Sequence, residues 1–173
     1  MKVYGYCRIS TSKQSMERQI RNIKLAYPDA VIVKETYTGT KIQGRKEFEK
    51  LLKIVSTGDT LVFDSVSRMS RTAQEGYEMY QKLYNQGVSL VFLKEPHINT
   101  STYQQAMENQ LSVNVKTGDQ ASEELLSGIF GALNRYMLNL AKRQIQLAFE
   151  QAEKEVTDLH QRTREGIQTA KLN

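Results

Sequence analysis

Val3-Tyr4-Gly5-Tyr6-Cys7-Arg8-Ile9-Ser10-Thr11 is an apolar run that ends in hydroxyl side chains, and its reading sets the fold. Side chains alternate along a strand, so Tyr6, Arg8 and Ser10 share one face while Gly5, Cys7 and Ile9 take the other. A serine hydroxyl and a guanidinium therefore point the same way at the end of a first strand. Residues 12–27 then carry Met16, Ile20, Ile23 and Tyr27 at helical spacing before Pro28 stops the run. The chain opens as a strand followed by an amphipathic helix.

That unit repeats. Residues 30–33 read as a second strand, and the polar, glycine-containing stretch 35–44 reads as a loop able to close over a substrate. It leads to a helix with Phe48, Leu51, Leu52 and Val55 on one face. Gly58-Asp59 turns into Leu61-Val62-Phe63, a third strand, followed by an extended arginine segment, Ser65-Val66-Ser67-Arg68-Met69-Ser70-Arg71. Thr72 and Glu75 are spaced as a capping box for a helix ending at Gly87, and residues 88–93 supply a fourth strand. Alternating strands and helices predict an α/β fold, a mainly parallel sheet flanked by helices. Such sheets place functional residues beyond the carboxyl ends of strands, where Ser10 and Arg68 both fall.

The remainder differs in kind. A short helix is expected over 103–111 and a mobile turn over 115–119. Residues 122–171 lack proline, and Leu126, Leu133, Leu140 and Leu147 fall seven apart with Ile129, Phe130 and Met137 between them. A helix of about 45 residues extends roughly 65 Å, so its apolar face needs a partner, and self-association is the expectation. The stripe is then displaced to Ala152, Val156, Leu159, Thr163 and Ile167, which predicts a bend or a change of partner over 144–151. Part of the helix folds back on its own sheet in this reading. The expected division is a core over 1–120 and a helical oligomerisation and DNA-contacting region over 121–173.

Composition narrows the partners. The 173 residues carry a net charge of +5 and 39% hydrophobic content, which suits one buried core and an anionic partner. No apolar run reaches the roughly 20 residues of a membrane span, and the first residues lack a signal-peptide layout, so a cytoplasmic protein without membrane contact is expected. The one cysteine, Cys7, excludes an internal disulfide, and the two histidines lie far apart without zinc-ligand spacing, so no structural metal is expected.

The chemistry follows from the residue types. A serine hydroxyl is a poor nucleophile until its alkoxide is stabilised, and several guanidiniums can stabilise both that oxygen and the charge on a phosphorus under attack. Ser10 as nucleophile with Arg8, Arg68 and Arg71 around a phosphate is the leading reading. Each residue also has a plainer role. Ser10-Thr11-Ser12 can cap a helix, Arg68 and Arg71 can be solvated, and Arg45 can simply open its helix. Cys7 turns toward the core as a small hydrophobe, His97 and His160 read as surface or packing residues, and Tyr6 supports the site. A metal-dependent nuclease using Asp59 or Asp64 needs clustered carboxylates that the sequence does not show.

Tyr6-Cys7-Arg8-Ile9-Ser10-Thr11 with Gln14 and Gln19, Arg45, Ser67-Arg68-Met69-Ser70-Arg71, and Gln161-Arg162-Thr163-Arg164-Glu165-Gly166 occur in one order along the chain. Together they resemble the catalytic domain of the serine recombinases, the resolvase and invertase family. The resemblance implies a recombinase of double-stranded DNA whose Ser10 forms a 5′-phosphoserine link and frees a 3′-hydroxyl. It also implies homodimers that assemble into a homotetramer for strand exchange, with neither metal nor nucleotide cofactor. Gln14, Gln19, Arg45, Tyr6 and Ser67 would support the site, and Arg162, Arg164 and Lys171 would follow the DNA backbone. Ser67 stands where the family commonly has aspartate, and Glu155-Val156 where it often has Glu-Arg. These departures motivate an alternative, an inactive recombinase-like DNA-binding or assembly protein. Family members usually continue into a separate DNA-binding domain, so a chain stopping at Asn173 is expected to be a catalytic-domain fragment.

Overall fold

The computed structural model describes residues 1–11, 15–108 and 117–172. Its strands are β1 (Val3–Ile9), β2 (Val31–Thr36), β3 (Thr60–Phe63) and β4 (Ser89–Phe92). Helices α1 (Glu17–Ala26), α2 (Lys46–Ile54), α3 (Val66–Met69) and α4 (Ala73–Asn85) connect them. A 3-10 turn (Pro96–Ile98), α5 (Thr100–Glu108) and the 53-residue α6 (Gln120–Leu172) follow. The sheet is parallel throughout, in the order β2-β1-β3-β4.

This order dictates where the helices go. The chain leaves β1 in one direction to form β2, then crosses back past β1 to β3 and continues outward to β4. Right-handed crossovers require the first connection to cover one face and the next two to cover the other. Accordingly, Ile23 of α1 packs with Cys7 and Val62 on one side. Phe48 of α2 and Tyr80 of α4 pack with Tyr6, Phe63 and Phe92 on the other, where Phe63 and Phe92 stack at 5.3 Å. Burial of each of the Phe, Ile and Val side chains among these contributes about 1.5–3 kcal/mol relative to exposure.

The middle of α6 closes the second face. Ile145, Ala148 and Phe149 are buried against that core, while Leu125, Ile129, Leu133, Tyr136, Met137 and Leu140 remain exposed on the preceding turns. Within one uninterrupted helix, α6 thus passes from an exposed apolar stripe to a face buried on the sheet over 145–149. Glu153 of α6 also accepts a hydrogen bond from the Ala73 N–H at 3.0 Å, at the start of α4.

Several sequence expectations are corrected. Helix α1 begins at Glu17 among the described residues, with Ser15 and Met16 outside it; β2 runs on through Thr36. The arginine segment is not extended: residues 66–69 form α3, whose Val66 N–H is held by Glu95 at 3.1 Å. Thr72 and Glu75 make no capping box. Thr72 provides no side-chain cap, and Glu75 instead accepts from the Ile42 N–H at 3.0 Å, tying the loop before α2 to α4. Helix α5 starts at Thr100 rather than 103; residues 109–111, 115 and 116 of the expected helix and turn lie outside the described residues.

Candidate active site

In a parallel sheet, a crevice opens where consecutive connections depart to opposite faces. Here that point lies between the carboxyl ends of β1 and β3. Ser10 follows β1, and α3 follows β3, so both candidate segments converge on the crevice. Arginines lace them together. Arg8 donates from Nη2 to the Ser67 carbonyl at 2.5 Å and from Nε to the Arg68 carbonyl at 3.3 Å. Arg68 Nη1 returns a bond to the Arg8 carbonyl at 3.1 Å. The short α3 is what turns the Ser67 and Arg68 carbonyls toward β1, an arrangement that an extended segment would not give.

Arg71 completes the cluster. Its Nη2 donates to Ser10 Oγ, while Nη1 donates to the carbonyls of Thr38 at 2.7 Å and Gly39 at 3.2 Å. The loop after β2 thus positions the guanidinium that meets the serine. A guanidinium on Oγ favours the alkoxide, because a charge-assisted donor stabilises an anionic oxygen more than a neutral hydroxyl.

Burial makes this positive charge costly. Arg8 is 1% exposed, and desolvation, with Arg45 and Arg71 nearby, pushes its guanidinium down to about 9. Desolvation likewise lowers Arg68 and Arg71, the second with further help from Arg45 and Arg68. Arg8 Nη1 and Arg68 Nε are buried without a hydrogen-bond partner among the described residues. An anion bound among these guanidiniums would relieve that cost.

The crevice forms a cavity of about 570 Å³. Arg8, Ser10, Arg18, Arg68 and Arg71 line its sheet side, and Val156, Leu159, His160 and Thr163 line it from α6; among the described residues no carboxylate does. A second groove of about 380 Å³ shares Ser67, Arg68, Val156 and Leu159 and reaches Arg162.

The structure gathers Ser10, Arg8, Arg68, Arg71, Ser67 and Gln19 at this crevice. Arg45 is not among the cavity residues: fully buried, it donates to the carbonyls of Met69 at 2.5 Å and Thr40 at 3.2 Å, joining the end of α3 to the β2–α2 loop. Tyr6 lies in the core beneath, its ring 4.7 Å from that of Phe48. Gln14 lies outside the described residues, as does the Lys171 side chain; Arg164 is exposed on α6. Asp59 and Asp64 sit at opposite ends of β3. Asp59 accepts from the Lys2 and Ser56 N–H groups, and Asp64 accepts from Asn22 at 2.8 Å with Arg18 and Lys94 nearby.

Sequence reading missed Glu35, which sits in β2 and accepts from the Glu47 and Phe48 N–H groups to cap α2. His160, read from the sequence as a surface or packing residue, lines the cavity from α6. Its placement follows from helical spacing, since His160 shares one face with Val156, Leu159 and Thr163.

The sequence matches the family described as "Resolvase, N terminal domain" over residues 3–156. It is 28% identical to the transposon Tn21 resolvase of Escherichia coli over 97% of this chain and 87% of that one. It is 30% identical to a resolvase of Clostridium perfringens over 56% of this chain and 51% of that one, and 34% identical to the Tn501 resolvase of Pseudomonas aeruginosa over 53% and 46%. The aligned region thus spans about half the length of these last two relatives. A solved resolvase family site-specific recombinase from Streptococcus pneumoniae aligns over 99% of both chains at 24% identity and a TM-score of 0.46. With nearly all of the core and much of the long helix inside the family match, this chain belongs to the resolvase family and carries its N-terminal domain.

Proposed function

We propose that this chain cleaves and rejoins DNA, with Ser10 as the nucleophile. The observation that carries the reading is the Arg71 guanidinium bonded to Ser10 Oγ in a cavity walled by Arg8 and Arg68. Ser10 Oγ forms a bond to phosphorus as the bond to the 3′-oxygen breaks, leaving a 5′-phosphoserine and a 3′-hydroxyl. Arg8 and Arg68 offset the charge on the phosphoryl oxygens, and Arg71 stabilises the attacking oxygen. The ester link retains the energy of the phosphodiester, so reversal needs no nucleotide cofactor. Gln19 fixes the Arg8 main chain, and Arg45 fixes the loop and helix that carry Arg71, both as supports. Arg162, on the adjoining groove, with Arg164 and Lys171 further along α6, follows the DNA backbone. The exposed stripe Leu125, Ile129, Leu133, Tyr136 and Leu140 supports pairing with a second copy, the dimer that assembles into a tetramer for strand exchange.

The test joins the full chain to a DNA-binding module of known site and supplies duplexes with random sequence between two such sites. A denaturation-resistant adduct at DNA 5′ ends, with the modified peptide containing Ser10 and no adduct from Ser10→Ala, is the expected result. Tethered, folded protein that gives no adduct on any duplex would overturn the mechanism and favour an inactive DNA-binding or assembly role.

A further inference from the structure

Proton traffic distinguishes the two walls of the cavity. In-line displacement places the attacking and leaving oxygens on opposite sides of phosphorus. Ser10 enters from the end of β1 with Arg71 bonded to its oxygen, so the attacking side is already served. The departing 3′-oxygen must gain a proton, and a donor works best when its ordinary pKa lies near the working pH. Among the described cavity residues no Asp or Glu is present, the serine and threonine hydroxyls are poor acids, and the arginines are already engaged: Arg8 donates to the Ser67 and Arg68 carbonyls, Arg68 to the Arg8 carbonyl and Arg71 to Ser10, and Arg18 lies beside Asp64. Of these lining side chains, His160 is the one of the right type, and it enters from α6 rather than from the sheet.

We propose that His160 is a catalytic residue that protonates the departing 3′-oxygen during cleavage and takes the proton back from the 3′-hydroxyl during rejoining. The proposal rests on the Ser10 mechanism above. Ser10 Oγ bonds to phosphorus and loses its proton to solvent at the cavity mouth; the phosphorus–O3′ bond breaks, and the imidazolium proton goes to O3′. Rejoining runs each transfer backward, so atoms and charge balance over the cycle. The charged groups that share the cavity with His160 are Arg8 from β1, Arg18 from α1, Arg68 from α3 and Arg71 beyond it, and Val156, Leu159 and Thr163 line it from the same helix as His160. A phosphodiester bound in this cavity would sit among guanidiniums carried by the sheet side, with the His160 ring entering from α6.

The test compares the tethered full chain with His160→Gln on cleavable duplexes carrying either the natural 3′-oxygen or sulfur at that bridging position. A thiolate leaves without protonation. His160→Gln is expected to slow adduct formation about a hundredfold on the oxygen substrate and less than threefold on the sulfur substrate, with unchanged DNA retention. Because His160 is exposed on α6, the variant keeps the fold, which its thermal melt verifies. Equal slowing on both substrates, or none on either, overturns the proposal while Ser10 adducts from the parent chain still support the nucleophile. Absence of Ser10 adducts from the parent on both substrates overturns the two together.

Discussion

Gln19 holds the main chain of Arg8 on both sides, accepting from its N–H at 3.1 Å and donating to its carbonyl at 3.0 Å. Helix α1 thereby supplies at the end of β1 what a neighbouring strand would supply elsewhere. Gln19→Leu should lower stability by about 1–3 kcal/mol, because the buried Arg8 N–H loses its acceptor. Gln19→Glu should cost less. It still accepts from the N–H, and the Arg8 carbonyl keeps its bond from Arg68. Denaturant melts of the three proteins check the order; equal losses would argue against this account.

Gly76 sets how closely α6 docks on α4, since a methyl group there would overlap the Phe149 ring. Glycine to alanine inside a helix ordinarily stabilises by about 0.5–1 kcal/mol. At Gly76 the sign should reverse, with a loss of about 1–3 kcal/mol from overpacking. Gly128 of α6 has open space where a methyl group would stand, so Gly128→Ala should show the ordinary gain. Thermal melts of both variants test the pair, and a gain at Gly76 would mean that α6 does not seat there.

Much of this arrangement was legible in periodicity. Alternation placed Tyr6 and Cys7 on opposite faces of β1, and they occupy separate cores. The seven-residue leucine spacing marked α6, although its seat on the sheet depends on Phe149 meeting a glycine far away in sequence. What stayed illegible was long-range pairing. Glu75 looked like the partner of Thr72 and is bonded to Ile42, while Glu153 caps α4 from another helix. Arg45, which from spacing could simply open its helix, instead joins the carbonyls of Thr40 and Met69 across the fold. Local spacing states which bonds are possible; the tertiary fold selects among them.

Cys7 should be inert in the folded protein. It is fully buried, and desolvation, reinforced by the Asp64 charge, pushes its thiol up to about 11 from an ordinary value of 9.0. Near pH 8 that shift removes about 99% of the thiolate before any loss of access is counted. Labelling with a disulfide reagent should therefore be slower than that of a free thiol by at least about a hundredfold. Denaturant should restore it in step with the loss of helical signal. Fast labelling of native protein would contradict the placement of β1.

Arg8 makes anion binding dependent on pH. Its guanidinium falls to about 9 in the folded protein from an ordinary 12.5, so between those values the unfolded chain holds more protons than the folded one. Stability from this group therefore rises with pH across that window, and below about 9 the folded state bears the full cost of the buried charge. A bound phosphodiester reverses the balance, since it favours the charged form. Short duplex DNA should raise the melting temperature of the chain at about pH 7.5, and the rise should shrink by about pH 10 as Arg8 discharges. In Arg8→Gln the rise near neutral pH should be smaller and should vary less with pH. Thermal shift measurements at low salt, where phosphate contacts are strongest, compare the two proteins directly. A parent whose DNA-induced rise is as large in the alkaline buffer as near neutrality would place the phosphate away from Arg8.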